Sequence, residues 1–203
     1  MKNNQKGRSM VEMLGVLAIV GVLSAGALKG YSAAMFKYKM NQSIDIFQKA
    51  LQRFSEIEQT GIGEGTIIDT TEDFVAYGFL DECQKTSDSI CRLPIGDFGA
   101  YFEDYGAQGL RGEFEMTFTD SKSCIAFASA GWENAMQKDW LNPCGTIRIG
   151  NMENGSDPTY LYDPNECYEN GAIQVTMENI VNGCKVCNED GGCTYSFAIH
   201  GYI

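Results

Sequence analysis

Gly7-Arg8-Ser9-Met10-Val11-Glu12-Met13-Leu14 opens an apolar run that continues to Leu28, and the reading of this stretch decides the fold. Residues 1–9 carry Lys2, Lys6 and Arg8 and no acid. Residues 10–28, at about 1.5 Å each, span roughly 28 Å, close to the thickness of a bilayer's hydrocarbon. The basic flank predicts a cytoplasmic N-terminus, with the rest of the chain exported. Glu12 breaks the pattern of a plain anchor. An unpaired carboxylate is costly in an apolar span, so it marks a functional position and calls for a partner. The nearest candidate partner is an α-amino group created by proteolysis. An ordinary signal peptide is the plainer reading, because Ala25-Gly26-Ala27 offers small residues to a conventional signal peptidase; Glu12 speaks against it. Gly15, Gly21, Gly26 and Gly30 are common residues in membrane helices. Each weakens a helix by about 1 kcal/mol relative to alanine, which predicts local loss of helicity outside lipid.

Downstream, Phe36, Met40, Ile44, Phe47, Leu51 and Phe54 recur at steps of four and three, flanked by Lys37, Lys39, Asp45, Lys49 and Arg53. This is an amphipathic helix with its apolar face against a globular domain. No proline interrupts Arg8 to Thr60, and Gly61 is a suitable stop. One continuous helix of about 53 residues, roughly 80 Å, is expected. Its first half must bury elsewhere, in lipid or in a bundle of identical half-helices. Transfer from lipid to bundle gains little hydrophobic energy, so packing and the pairing of Glu12 must supply specificity. Head-to-tail contacts repeated with a fixed rise generate an open helical fibre.

The remaining chain reads as one exported domain. The net charge is -12 with basic residues scattered, so no direct nucleic-acid site is evident. Eight cysteines, at 83, 91, 124, 144, 167, 184, 187 and 193, accompany a single histidine, His200. With an export signal, that points to a disulfide framework rather than zinc. Residues 61–110 are glycine-rich and read as a connection, with a short helix over 71–83. Phe114, Met116 and Phe118 alternate in a strand. Asp120 or Ser121 then caps a helix over 122–136, which Gly131 interrupts. Residues 145–150 and 194–200 read as further strands, and 174–182 as a short helix ending at Gly183. A mixed sheet on the amphipathic half-helix makes an α+β head.

The sequence Gly7 to Leu14 resembles the processing site of type IV prepilins, in which a dedicated peptidase cuts after glycine and the fifth mature residue is glutamate. The resemblance is strong over about residues 1–60 and covers the head only weakly. It implies cleavage after Gly7, a new N-terminus at Arg8, methylation of that terminus, and Glu12 as the carboxylate that neutralises a neighbouring subunit's amine during assembly. Arg8 departs from the family's usual apolar first residue. The short leader resembles the family's shorter ones, whereas the order of strand, cysteine-bearing helix, strand, cysteine-rich loop and final strand resembles type IVb pilins. The fold implied is pilin-like: one long helix packed by its second half on a small, mainly antiparallel sheet, with a disulfide-stapled C-terminal region. Its divisions are a leader (1–7), a transmembrane or filament-core half-helix (8–35), an amphipathic half-helix (36–60) and the head (61–203).

Eight cysteines allow 105 pairings. The preferred set is Cys83 with Cys91, Cys124 with Cys187, Cys144 with Cys167, and Cys184 with Cys193; the second pair is borrowed from the family. Each bridge contributes about 2 to 4 kcal/mol. Rival readings attach to single motifs. Cys184-Lys185-Val186-Cys187 has the spacing of a thiol oxidoreductase, but it lacks a βαβ setting. Cys184, Cys187 and Cys193 have zinc-like spacing. Asn188, Glu189 and Asp190 resemble part of a calcium loop, though a solvated acidic turn is commoner. His200 has no evident nucleophile beside it, Asn154-Gly155-Ser156 fits a glycosylation sequon, and Trp132 and Trp140 read as packing residues.

The expectation is therefore a structural protein with no catalytic residue, metal or cofactor: the subunit of a type IV pilus. It is made as an inner-membrane precursor with its head in the periplasm, then becomes extracellular. Its partners are its own copies, the prepilin peptidase, the inner-membrane assembly machinery and, before assembly, the membrane. Minor pilin or type II secretion pseudopilin is the alternative, followed by a conventionally secreted cysteine-rich domain. A role in cell adhesion accompanies the pilus reading.

Overall fold

Helix α1 spans Met10–Thr60, 51 residues, and runs unbroken through Gly15, Gly21, Gly26 and Gly30. It stops as expected at Gly61, which takes φ 71° while its N–H donates to the Ile57 carbonyl at 2.7 Å. A left-handed residue without a Cβ is the common way to end a helix. The structure, a computed structural model, describes residues 10–104, 106, 110–132, 146–150, 159–160, 176–188 and 192–200. The chain divides into two compact units, one ending at Lys39 and the other beginning at Met40.

In the first unit every side chain from Met10 to Ala34 is exposed. The helix is long and apolar enough to cross a membrane. Leucines, valines and an isoleucine on all sides of a helix describe a segment made for an apolar surrounding, since an ordinary soluble helix keeps one polar face.

The second unit has its own core. From α1 it takes Met40, Ser43, Phe47, Ala50, Leu51, Phe54 and Ile57, all buried, at helical steps of three and four. Ile44, expected in this stripe, is only half-buried, and Ser43 occupies the core line instead. The stripe packs on a sheet of strands β1 (Ile67–Ile68), β2 (Gln84–Ser87), β3 (Ile90–Leu93), β4 (Gly96–Asp104), β5 (Leu110–Phe118), β6 (Thr146–Gly150), β7 (Thr159–Tyr160) and β8 (Cys193–His200). Among the described residues the order is β2-β3-β4-β5-β8-β6-β7 with β1 beside β4, and every pairing is antiparallel. The last strand thus inserts between β5 and β6. The fold is α+β: a long N-terminal helix, a mainly antiparallel sheet under its second half, and disulfides toward the C-terminus.

Alternation decides which face of the sheet is buried. Phe98, Ala100 and Phe102 in β4, Phe114, Met116 and Phe118 in β5, Tyr195 in β8, and Ile147 and Ile149 in β6 are buried, as period-two side chains on one face must be. Phe47 is the hub. Its ring lies 4.9 to 6.2 Å from those of Trp132, Phe127, Phe114 and Phe98. Trp132 satisfies its indole N–H on the Phe127 carbonyl at 2.7 Å, so it is a core residue, as its sequence context predicts. Trp140 lies outside the described residues.

Four expectations need correction. Residues 84–104 are not a loop-rich connection but carry β2, β3 and β4. The helix expected over 71–83 is shorter: α2, Thr71–Ala76, starts at a capping box formed by Thr70 and Asp73 and stops before Gly78, at φ 77°. Gly183 does not end its helix, because α4 (Met177–Cys184) runs past it into a 3-10 turn, Lys185–Asn188. Helix α3, Ser121–Ala128, begins at the Asp120 cap as expected but ends well short of residue 136, with Gly131 at φ 80°.

Candidate functional site

Glu12 lies in the first turn of α1, between the exposed Val11 and Met13. The positive end of the helix dipole favours an acid there. Met10, Leu14, Val16, Leu17, Ile19, Val20, Val22 and Leu23 continue the apolar surface, each more than half exposed. Gly7 and Arg8, where cleavage is expected, lie outside the described residues.

The described cysteines come together in two places. Cys83 and Cys91 are bridged, with Cα atoms 5.3 Å apart, as expected. That bridge ties the residue before β2 to the middle of β3. The other expected pairs need correction: Cys124 joins Cys184, not Cys187, and Cys193 joins Cys187, not Cys184. The cause is helical geometry. Cys124 lies buried in α3 against α4, whose final residue is Cys184, whereas the 3-10 turn carries Cys187 onward to the first residue of β8. The pair expected between Cys144 and Cys167 falls outside the described residues, as do Glu189 and Asp190 of the calcium reading.

The Cys184-Lys185-Val186-Cys187 motif is not bridged internally. It lies at the C-terminal end of α4 and in the turn beyond. A redox-active thiolate is favoured at a helix N-terminus, where the dipole is positive, and this is the opposite end. The zinc reading also changes its members. The sulfurs that converge are those of Cys124, Cys187 and Cys193, within 4.8 Å of one another, and each is taken up in a bridge.

Two polar arrangements in the head escaped the sequence reading. On the face of the sheet opposite the aromatic core, Arg148 of β6 pairs with Glu113 of β5, and the buried Ser196 of β8 donates to the same carboxylate. Glu115, one step along that face, is held above the usual glutamate range, first by burial and then by the charge of Glu113, with Arg148 opposing. The second is a loop clamp. Asp104, buried at the end of β4, accepts backbone N–H bonds from Ile62 (3.2 Å), Gly63 (3.1 Å) and Gly106 (2.8 Å). It thereby fixes the chain just after α1. His200 falls in β8 opposite Arg111, in the last strand as expected.

A groove of about 420 Å³ runs between Gln42 and Ile46 of α1 and Cys83, Arg92 and Pro94 of the β2–β3 region. Its lining mixes acid, base, amide and apolar residues, with no cluster that points to one ligand chemistry.

No family model, no curated protein and no solved structure matches this chain.

Proposed function

We propose that this chain is the precursor of a type IV pilin-like filament subunit. In this reading it is held in the inner membrane by residues 8–35, is cut after Gly7, and polymerises through the apolar half of α1. The observation that carries the reading is a helix whose first 25 described residues are exposed and overwhelmingly apolar, with an acid in its first turn, joined to a head that closes its own core. A head with a buried core of its own, together with a helix that is apolar and exposed on all sides, supports an exchange of lipid for identical helices. Glu12 then acts by charge: a carboxylate moved into an apolar bundle requires a cation, and the amine freed at Arg8 of a neighbouring copy supplies it. The bridge from Cys83 to Cys91 and those among Cys124, Cys184, Cys187 and Cys193 serve a head exposed outside the cell, where thiols stay oxidised.

Replacement of Glu12 by alanine tests this. Leader removal continues, because the peptidase acts before assembly, while the yield of sheared fibres drops at least tenfold. Wild-type fibre yield from Glu12→Ala removes the proposed role of the carboxylate.

A further inference from the structure

Four sulfurs meet in one buried place. α3 brings Cys124, α4 brings Cys184, the 3-10 turn brings Cys187 and the start of β8 brings Cys193, and their side chains are 0 to 1% exposed. Two bridges consume them, Cys124 to Cys184 and Cys187 to Cys193. Yet the sulfurs of Cys124, Cys187 and Cys193, which belong to different bridges, lie within 4.8 Å of one another. Among the described cysteines, each of these bridges is therefore the other's nearest reaction partner.

We propose that these two bridges form one exchangeable sulfur cluster, in which a thiol catalyses conversion of the Cys124–Cys184 and Cys187–Cys193 pairing into Cys124–Cys187 and Cys184–Cys193. The thiolate of the catalyst attacks the Cys193 sulfur, breaks the bond to Cys187 and leaves a mixed disulfide on Cys193. The freed Cys187 thiolate attacks the Cys124 sulfur, forms Cys124–Cys187 and expels the Cys184 thiolate. Cys184 then attacks Cys193, closes the second bridge and returns the catalyst as a thiolate. Two disulfides are present before and after, so no oxidant or reductant is consumed.

Chain entropy does not choose between the two pairings. The closed loops span 60 and 6 residues, and because Cys187 follows Cys184 by three positions, exchange lengthens each by three. Even in the unfolded chain that favours the present pairing by only about twofold, and in the folded head the sulfurs are already held together. The helix positions decide the rest, and exchange moves the tie on α3 from the last residue of α4 to the turn beyond it. Burial of the sulfurs makes access the slow step, so the reaction waits on local opening of the chain packed over them. Gly192, next to Cys193, packs closely on β5: it is buried at φ 74°, and a Cβ there would stand 2.5 Å from the Phe118 carbonyl oxygen.

The test is disulfide mapping of the oxidised full chain in detergent, incubated with and without a small amount of reduced glutathione, then acid-quenched. Cleavage after Lys185 and after Glu189 separates Cys184, Cys187 and Cys193 onto different peptides. Peptides linking Cys124 to Cys187, and Cys184 to Cys193, are expected to rise to a constant share only with thiol, and to rise faster in Gly192→Ala. In Cys184→Ser, Cys124 is expected to capture Cys187 in part of the population. Retention of the starting pairing alone in the wild-type chain at equilibrium, or of Cys187–Cys193 alone beside a free Cys124 in Cys184→Ser, overturns the proposal.

Discussion

Gly112→Ala is the sharpest test of how the head is packed. Gly112 lies in β5 directly opposite Phe102 of β4, and the Phe102 ring lies across the space where a side chain would be. A methyl group added there would stand 2.9 Å from Phe54 Cε2 and nearer still to two ring carbons of Phe102, whereas ordinary contact begins near 3.4 Å. Phe54 would have to retreat by about 0.5 Å and Phe102 by more. Neither has room. The Phe102 ring is stacked on Phe79 at 4.8 Å, lies 4.8 Å from Phe114 and 5.0 Å from Phe54, and all four side chains are at most 2% exposed. Overpacking of this kind costs about 1 to 3 kcal/mol, which exceeds the ~0.4 to 1 kcal/mol that a glycine-to-alanine change returns by restricting the unfolded chain. For a unit of this size each kcal/mol lowers the melting temperature by roughly 2 to 4 °C. Gly99→Ala is the control, because its Cβ meets nothing nearer than 3.5 Å. Urea unfolding followed by tryptophan fluorescence measures both variants. Equal stability of the two variants, within about 0.5 kcal/mol, would refute the close-approach reading of Gly112.

Two other substitutions test the polar groups of the head. Ser43 lies fully buried on the core line of α1 and its hydroxyl has no hydrogen-bond partner, so Ser43→Ala is expected to be neutral or to stabilise by up to about 1 kcal/mol; a loss of that size in urea unfolding contradicts it. Glu115 is raised by burial, so the folded head holds that proton more tightly than the unfolded chain does. A raised carboxylate favours folding at a pH below its unfolded value, and that advantage fades as pH rises through the folded value. Glu115→Gln should therefore stabilise the head at neutral pH, and the gain should vanish near pH ~4, where an unfolded glutamate is itself protonated; an equal effect at both pH values contradicts the assignment.

The long helix was readable because its signals are local and repeated: an apolar run, a 3-4 stripe from Met40 onward and a glycine stop at 61. Strand β5 and the Asp120 cap were readable for the same reason. Strand β4 was hidden by its own glycines. Gly96 and Gly99 look like loop residues in sequence, yet a Cβ at Gly96 would stand 2.6 Å from the Thr117 carbonyl, so the glycine serves close approach between strands rather than a turn. The alternation of Phe98, Ala100 and Phe102 was the available signal. The disulfide partners of Cys124 and Cys193 were not readable, because a shift of three residues between Cys184 and Cys187 is settled by where α4 ends, and the helix ran past Gly183. The polar pairing of Glu113, Arg148 and Ser196 depends on β8 lying between β5 and β6, a long-range order that no local pattern carries.

The account stands on the fate of the apolar N-terminal helix after export. Intact-mass measurement of the mature chain from cells that make it tests this most directly. A chain beginning at Arg8, lighter than the full sequence by residues 1–7 and heavier again by any methyl group added to its new terminus, is the predicted result. A chain that has lost residues 1–27 would have no apolar helix left to polymerise and would contradict the account.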